Sequence, residues 1–147
     1  MKTFQIKPIG RVHKDGDKTW ITIAPDYQDG LLGLEQFSHI MVFYWFDQHD
    51  TPHDRGILQV HPRKNPVNPL TGVFATHAPV RPNLVAMTIC ELLSVVNGRL
   101  ELDAIDALDA SPVIDIKCYI PERLSTKKVR MPGWVNTEKN SGADVKG

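Results

Sequence analysis

Val85-Ala-Met-Thr-Ile-Cys-Glu-Leu-Leu-Ser-Val-Val-Asn-Gly-Arg-Leu-Glu-Leu102 consists of two alternating apolar runs joined by Asn97-Gly98. Both joining residues tolerate positive φ, which a tight two-residue hairpin turn requires, so the stretch predicts a β-hairpin. Working outward, Phe4 to Ile9, Thr19 to Ile23, His39 to Phe46, Ile57 to Val60, Val85 to Val95, Arg99 to Ala104 and Val113 to Tyr119 are rich in β-branched and aromatic residues and read as strands. Asp15-Gly16, Asp29-Gly30 and the proline-rich Pro62 to Pro69 punctuate them. Pro25 to Phe37 is the best candidate for a short helix or turn, with Leu31, Leu34 and Phe37 at helical spacing and Gly30 and Gly33 keeping any helix short. Many short strands with this punctuation predict an all-β barrel or sandwich rather than a parallel βαβ fold. The absence of a Gly-x-Gly-x-x-Gly after any strand argues against a Rossmann-type cofactor site. Phe37, Ile40, Val42, Val73, Leu92, Leu102, Val113 and Ile116 are the expected core.

With 147 residues, 41% hydrophobic and 23% charged, the chain falls among single-domain globular proteins whose core folds unaided. The N-terminus alternates like a strand and has no apolar signal core, and no stretch approaches the roughly 20 apolar residues of a membrane helix. The expectation is a soluble, cytoplasmic protein. Cys90 and Cys118 sit in separate apolar runs and read as reduced, buried space-fillers rather than a disulfide or a metal pair. The formal net charge is zero, which counts against extensive nucleic-acid binding. Arg123, Lys127, Lys128 and Arg130 nevertheless lie close together and suit either a solvated segment or a phosphate-facing patch. Past Leu124 the chain is polar except for Met131-Pro-Gly-Trp-Val, whose tryptophan is expected to dock the tail onto the barrel or a second subunit. Thr137 to Gly147 reads as disordered. Internal repeats and low-complexity tracts are absent.

Two segments do not read as core. In Gly72-Val-Phe-Ala-Thr-His-Ala-Pro-Val-Arg-Pro-Asn-Leu-Val-Ala86, small residues and prolines surround Arg81 and Asn83, which suits a rigid loop presenting backbone and polar groups to a ligand. Asp106-Ala-Leu-Asp-Ala-Ser-Pro-Val-Ile-Asp-Ile-Lys117 places Asp106, Asp109 and Asp115 around a turn ended by Pro112. The Arg81 fork can hold a carboxylate bidentately, and Asp115 is a partner that would lock the two loops. A substrate carboxylate or phosphate is the other choice.

These two segments, together with Ile9-Gly10, Gly33-Leu-Glu-Gln-Phe-Ser-His-Ile40 and Val60-His-Pro-Arg63, resemble the TsaA/TrmO family over roughly residues 4 to 121. The resemblance implies a small, closed or nearly closed β-barrel over residues 1–123, with a short helix or helical turns, followed by an extended C-terminal tail over 124–147. It implies a homodimer that binds S-adenosylmethionine and methylates N6 of threonylcarbamoyl-adenosine at tRNA position 37. By position, the cofactor contacts would carry over to Phe46, Asp47, Phe74, Thr76, His77, Asn83, Ala86, Asp106, Ala107, Leu108 and Asp109, with no metal. Three departures stand out: His77 replaces an arginine; Leu84-Val85-Ala86 replaces Pro-Ile-Gly and Ala110-Ser111 replaces Gly-Thr; and the early segment Ile9-Gly-Arg-Val-His-Lys-Asp-Gly-Asp-Lys-Thr19 lacks the Ser-Pro and Pro-x-Gln-Gly elements of the loop after the first strand.

Methyl transfer from a sulfonium is an in-line displacement that the protein assists mainly by alignment. The positive charge at sulfur disappears on transfer, so the site needs aromatic faces, carbonyls and distant carboxylates rather than a tight counter-ion. Phe46, Phe74, Asp47, Asp106 and Asp109 are suitable types. A purine exocyclic amine also needs a base, for which Asp115 or Asp109 is nominated, with Arg81 shaping the loop or meeting the substrate. Alternatives of other kinds stay open: a small-molecule acceptor, a non-catalytic S-adenosylmethionine binder, and a metal-dependent hydrolase built on His49-Asp50-Thr-Pro-His53-Asp54. Pro52 makes the last weak, because it breaks the helix that would align the two imidazoles.

Overall fold

The computed structural model describes residues 1–122 and 128–135. The chain divides into two compact units, one made of 1–47 with 85–119 and the other of 48–84 with the residues after 119. Among the described residues eight strands occur in chain order: β1 (Gly10–Asp15), β2 (Lys18–Ile23), β3 (His39–Trp45), β4 (Gln59–Val60), β5 (Thr71–Gly72), β6 (Val85–Val96), β7 (Arg99–Leu102) and β8 (Pro112–Cys118). Six of them close a barrel in the order β1-β2-β7-β6-β3-β8, with every ladder antiparallel. The closed all-β barrel expected from the sequence is therefore the fold.

The hairpin at Asn97-Gly98 has the anticipated geometry, with φ of 50° and 76° at its two turn residues. Alternation then sends one side chain in two into the barrel. Val12, Ile21, Ile40, Val42, Leu100 and Val113 are completely buried there, and Tyr44, Cys90, Leu92 and Leu102 nearly so. Burying a side chain of this kind is worth about 1.5–3 kcal/mol, which makes this cylinder the main source of the unit's stability. Burial pushes the Cys90 thiol up to about 12. Cys90 and the half-buried Cys118 are both free thiols.

Two bulges adjust the register. One falls between Leu92 and Ser94 on β6 opposite β7. The other lies on β8, where Asp115 pairs with Phe43 but Val113 pairs with Tyr44, so Ile114 is the extra residue. That insertion lets both Val113 and Ile116 face the core while Asp115 stands exposed on the outer surface.

Several local expectations need correction. Phe4 to Ile9 is not a strand: Phe4 is 91% exposed, and the first ladder begins at Gly10. Pro25 to Phe37 is helical as expected, in two 3-10 turns, Pro25–Leu31 and Leu34–Gln36, divided by the left-handed Gly33 at φ 86°. Leu31 and Leu34 pack on the core, but Phe37 is 37% exposed and is not a core residue. Of Ile57 to Val60, only Gln59–Val60 is a strand, paired with Thr71–Gly72 in the second unit. Among the described residues the one α-helix, α1 (Pro52–Arg55), begins with Pro52 in the first turn, and the Thr51 hydroxyl caps it by accepting from the Asp54 N–H. No helix among the described residues is long and apolar enough to cross a membrane. Arg123, Lys127 and Thr137 to Gly147 lie outside the described residues.

Candidate cofactor site

The second unit carries the loop that sequence singled out. After β5, a 3-10 turn (Val73–Ala75) leads to Thr76, whose hydroxyl donates to the Val73 carbonyl at 2.9 Å and accepts from the Ala78 N–H at 3.1 Å. The Arg81 guanidinium folds back on the same loop, with Nη1 donating to the Thr76 carbonyl at 3.2 Å and the Ala78 carbonyl at 2.9 Å. Arg55 Nε donates to the Pro82 carbonyl at 2.9 Å. Proline supplies rigidity and arginine supplies donors, so the loop keeps its shape through its own bonds.

Thr76, His77 and Ala78 line a cavity of about 100 Å³ with Pro62, Arg63 and Trp134. Arg63 Nη2 donates to the Val135 carbonyl at 3.0 Å and so holds the tryptophan segment against this wall. The lining offers loop backbone and an indole, types that suit polar edges and a cation, in a volume that takes only part of a nucleoside-sized molecule. Of the nominated residues in this unit, Thr76 and His77 line the cavity, while Phe74 and Asn83 are exposed. Arg63 and Trp134 were not nominated from sequence. Arg63 belongs to the Val60-His-Pro-Arg63 match, which was the available signal.

In the barrel unit, Phe46 packs edge-on against Tyr44 with centroids 5.8 Å apart, and Ala86 is buried opposite the same tyrosine. Asp47 is exposed at the start of a 3-10 turn. The loop after β7 is anchored by the buried Ile105 and Ala107, which leave Asp106, Leu108 and Asp109 at the surface. Asp109 Oδ1 accepts from the Lys14 N–H at 2.8 Å, and Lys14 Nζ donates to the Ile105 carbonyl at 2.6 Å. Burial, with Asp106 adding to it, raises the Tyr44 hydroxyl above its ordinary value. Asp115 accepts from its neighbour, the Ile116 N–H, at 2.9 Å.

Ala110, standing where the resemblance has glycine, sits at φ 70°. It is held there because its N–H donates to the Val12 carbonyl at 2.8 Å and its own carbonyl accepts from Arg11 Nη1 at 2.7 Å. An L-residue in this conformation costs about 1–2 kcal/mol. Ala110→Gly should therefore stabilise the protein by about 1 kcal/mol in urea unfolding, part of the relief being offset by the freer unfolded chain. A midpoint that falls would show the position to be unstrained.

The two histidines of the polar loop meet at a carboxylate. His49 Nδ1 and His53 Nδ1 both bond the Asp54 carboxylate, at 2.9 and 3.0 Å, and these bonds, His53 first, hold that carboxyl below its usual range. Among the described residues, no group of three or more histidine, cysteine or acidic side chains is arranged to hold a metal.

The profile of the tRNA-methyltransferase O N-terminal domain matches residues 2–123. A probable S-adenosyl-L-methionine-binding protein of Pyrococcus horikoshii is 42% identical over 127 residues, which make up 86% of this chain and 90% of that protein. The human tRNA (adenine(37)-N6)-methyltransferase is 38% identical over 105 residues, 71% of this chain and 23% of the human protein. A crystal structure of TrmO from Pseudomonas aeruginosa superimposes with a TM-score of 0.70 at 26% identity, over 91% of this chain and 62% of that one. The chain thus spans less than two thirds of the length of these two enzymes.

Proposed function

Because the chain belongs to the tRNA-methyltransferase O N-terminal domain family, we propose that it is an S-adenosylmethionine-dependent methyltransferase acting on N6 of threonylcarbamoyl-adenosine at tRNA position 37. The observation that carries this reading is the cavity where Thr76 and His77 meet Trp134. Its indole suits the sulfonium, and the bonded loop suits the polar edges of the donor.

In the proposed reaction the sulfur–methyl bond breaks as the nitrogen–methyl bond forms, and the positive charge leaves sulfur. The N6 proton passes to a carboxylate, for which Asp109 is the first nominee and Asp115 the second. Asp109 has one oxygen committed to the Lys14 N–H and a second oxygen open to a proton. The other proposed donor contacts are Phe74 and Asn83 in the second unit and, in the barrel unit, Phe46, Asp47, Ala86 and Asp106 to Leu108.

The working form is proposed to be a cytoplasmic homodimer. Supporting this, the outer faces of β3 and β6 bring together Trp45 with Val85, Phe43 with Met87 and Met41 with Ile89. Val85, Met87 and Ile89 are 41–50% exposed, an apolar stripe of the kind that partners cover.

The test is incubation with methyl-labelled S-adenosylmethionine and a mixed cell extract. Label in tRNA, mapped to the modified adenosine, is expected. Label confined to small molecules would keep the donor and replace the acceptor, and no transfer at all would reduce the protein to a donor-binding one.

A further inference from the structure

The second unit contains another hollow to which nothing above assigns a role. It is an open groove of about 450 Å³, with His49, Gln59, His61 and Lys64 on its polar side and Ile57 and Pro79 on its apolar side. That is nucleotide-sized. Among the described residues no carboxylate lines it, and Lys64 brings an ammonium to its wall.

The two imidazoles are set by their other nitrogens. His49 Nδ1 bonds Asp54 at 2.9 Å, and His61 Nδ1 donates to the Asn68 carbonyl at 2.8 Å. Nε2 of each ring is therefore the atom left for a ligand, carrying a lone pair in the neutral ring and donating to an anion when the ring is protonated. Lys64 is set by backbone strain: Arg63 and Lys64 are consecutive non-glycine residues at φ 59° and 53°. Such pairs persist only when the surroundings hold them. Here the Lys64 N–H donates to the His61 carbonyl at 3.1 Å, the Asn65 N–H to the Pro62 carbonyl at 3.2 Å, and Asn68 Nδ2 to the same carbonyl at 2.9 Å.

This strained turn divides two adjoining residues between two hollows. Arg63 lines the tryptophan cavity and Lys64 lines the groove. The neighbouring loop does the same, with Ala75 to Ala78 on the cavity and Pro79 and Val80 on the groove. The two hollows thus adjoin along both of these segments.

We propose that the groove is the acceptor subsite, in which Lys64, His49 and His61 bind the anionic group of the nucleotide to be methylated while the apolar wall takes its base. This rests on the methyltransferase reading for the word acceptor, but not for the anion binding itself. The anion is a phosphate or the carboxylate of the threonylcarbamoyl group, which share the chemistry the groove offers.

Histidine ring signals of the whole protein are followed by NMR during titration with adenosine 5′-monophosphate, with N6-threonylcarbamoyladenosine and with adenosine. The His49 and His61 signals should move with the first probe if phosphate is the anion and with the second if carboxylate is. Adenosine, which has the base without the anion, should move them only weakly and at higher concentration. Lys64→Gly removes the ammonium and relaxes its backbone, so the variant should fold. It should weaken the effective probe about tenfold, the worth of one charge-assisted bond, while leaving S-adenosylmethionine affinity unchanged. Ring signals that answer to neither anion, or only to S-adenosylmethionine, would overturn the assignment. Calorimetry with S-adenosylmethionine on the same sample tests the methyltransferase reading separately: an absent heat with shifted rings would sink that reading and leave an anion groove.

Discussion

Gly10→Ala is expected to destabilise the barrel by about 2–3 kcal/mol, although the same change in an ordinary strand would be stabilising by up to about 1 kcal/mol. Gly10 belongs to two ladders at once, opposite Ile23 on β2 and Val113 on β8. A methyl group there would run into the carbonyl oxygen of Thr22 and against Ile23. A backbone oxygen within a ladder cannot swing aside as a side-chain tip can, so β1 would have to shift. The seam has little to spare. β1 and β8 are joined by only two register pairs, Gly10 with Val113 and Arg11 with Pro112, supported by Ile9 N–H to Val113 at 2.7 Å and Val12 N–H to Ser111 at 3.0 Å. Pro112 brings no N–H of its own. Urea unfolding, with Leu100→Ala as a core-cavity reference at about 3 kcal/mol, provides the scale. A Gly10→Ala protein as stable as the parent would mean that the seam does not depend on this close approach.

What the sequence reveals and conceals at this seam applies to the whole fold. Strand composition reports that a segment suits a pleated surface, not that a partner is available. Phe4 to Ile9 has the composition without the partner, whereas Gly10–Asp15, with Val12 as its lone buried apolar residue, has the partner without the composition. Asn97-Gly98 was legible because turn chemistry is local. The bulge at Ile114 was not, since neither glycine nor proline marks it. Yet Val113 and Ile116, three apart, could both be core only if a strand of period two were broken between them, and that parity conflict was readable. The same division holds for the candidate site. Prolines and Arg81 disclosed a self-supporting loop, but the meeting of Thr76 with Trp134 spans too much chain for any local pattern to disclose.

Arg81→Ala should weaken S-adenosylmethionine binding by about 100-fold while leaving the unfolding midpoint nearly unchanged. Nη1 of Arg81 donates to the carbonyls of Thr76 and Ala78. A hydrogen bond from a charged donor contributes about 1.5–3 kcal/mol, and losing two frees the segment Thr76-His77-Ala78 that lines the tryptophan cavity. Ordering that segment again on binding would consume roughly 3 kcal/mol of donor affinity, or about two decades. Stability is spared because Arg81 is only half-buried, and because the Thr76 hydroxyl and Arg55 still tie the ends of the loop. Arg81 is therefore a positioning residue rather than a group that touches the reacting atoms. Arg81→Lys separates geometry from charge: a single ammonium reaching one carbonyl should restore part of the affinity, whereas a purely electrostatic role would be rescued in full. Calorimetric affinity and the urea midpoint, measured on both variants, decide the matter. Undiminished donor binding in Arg81→Ala, or a loss matched by an equal loss of folding stability, would remove this loop from the cofactor site.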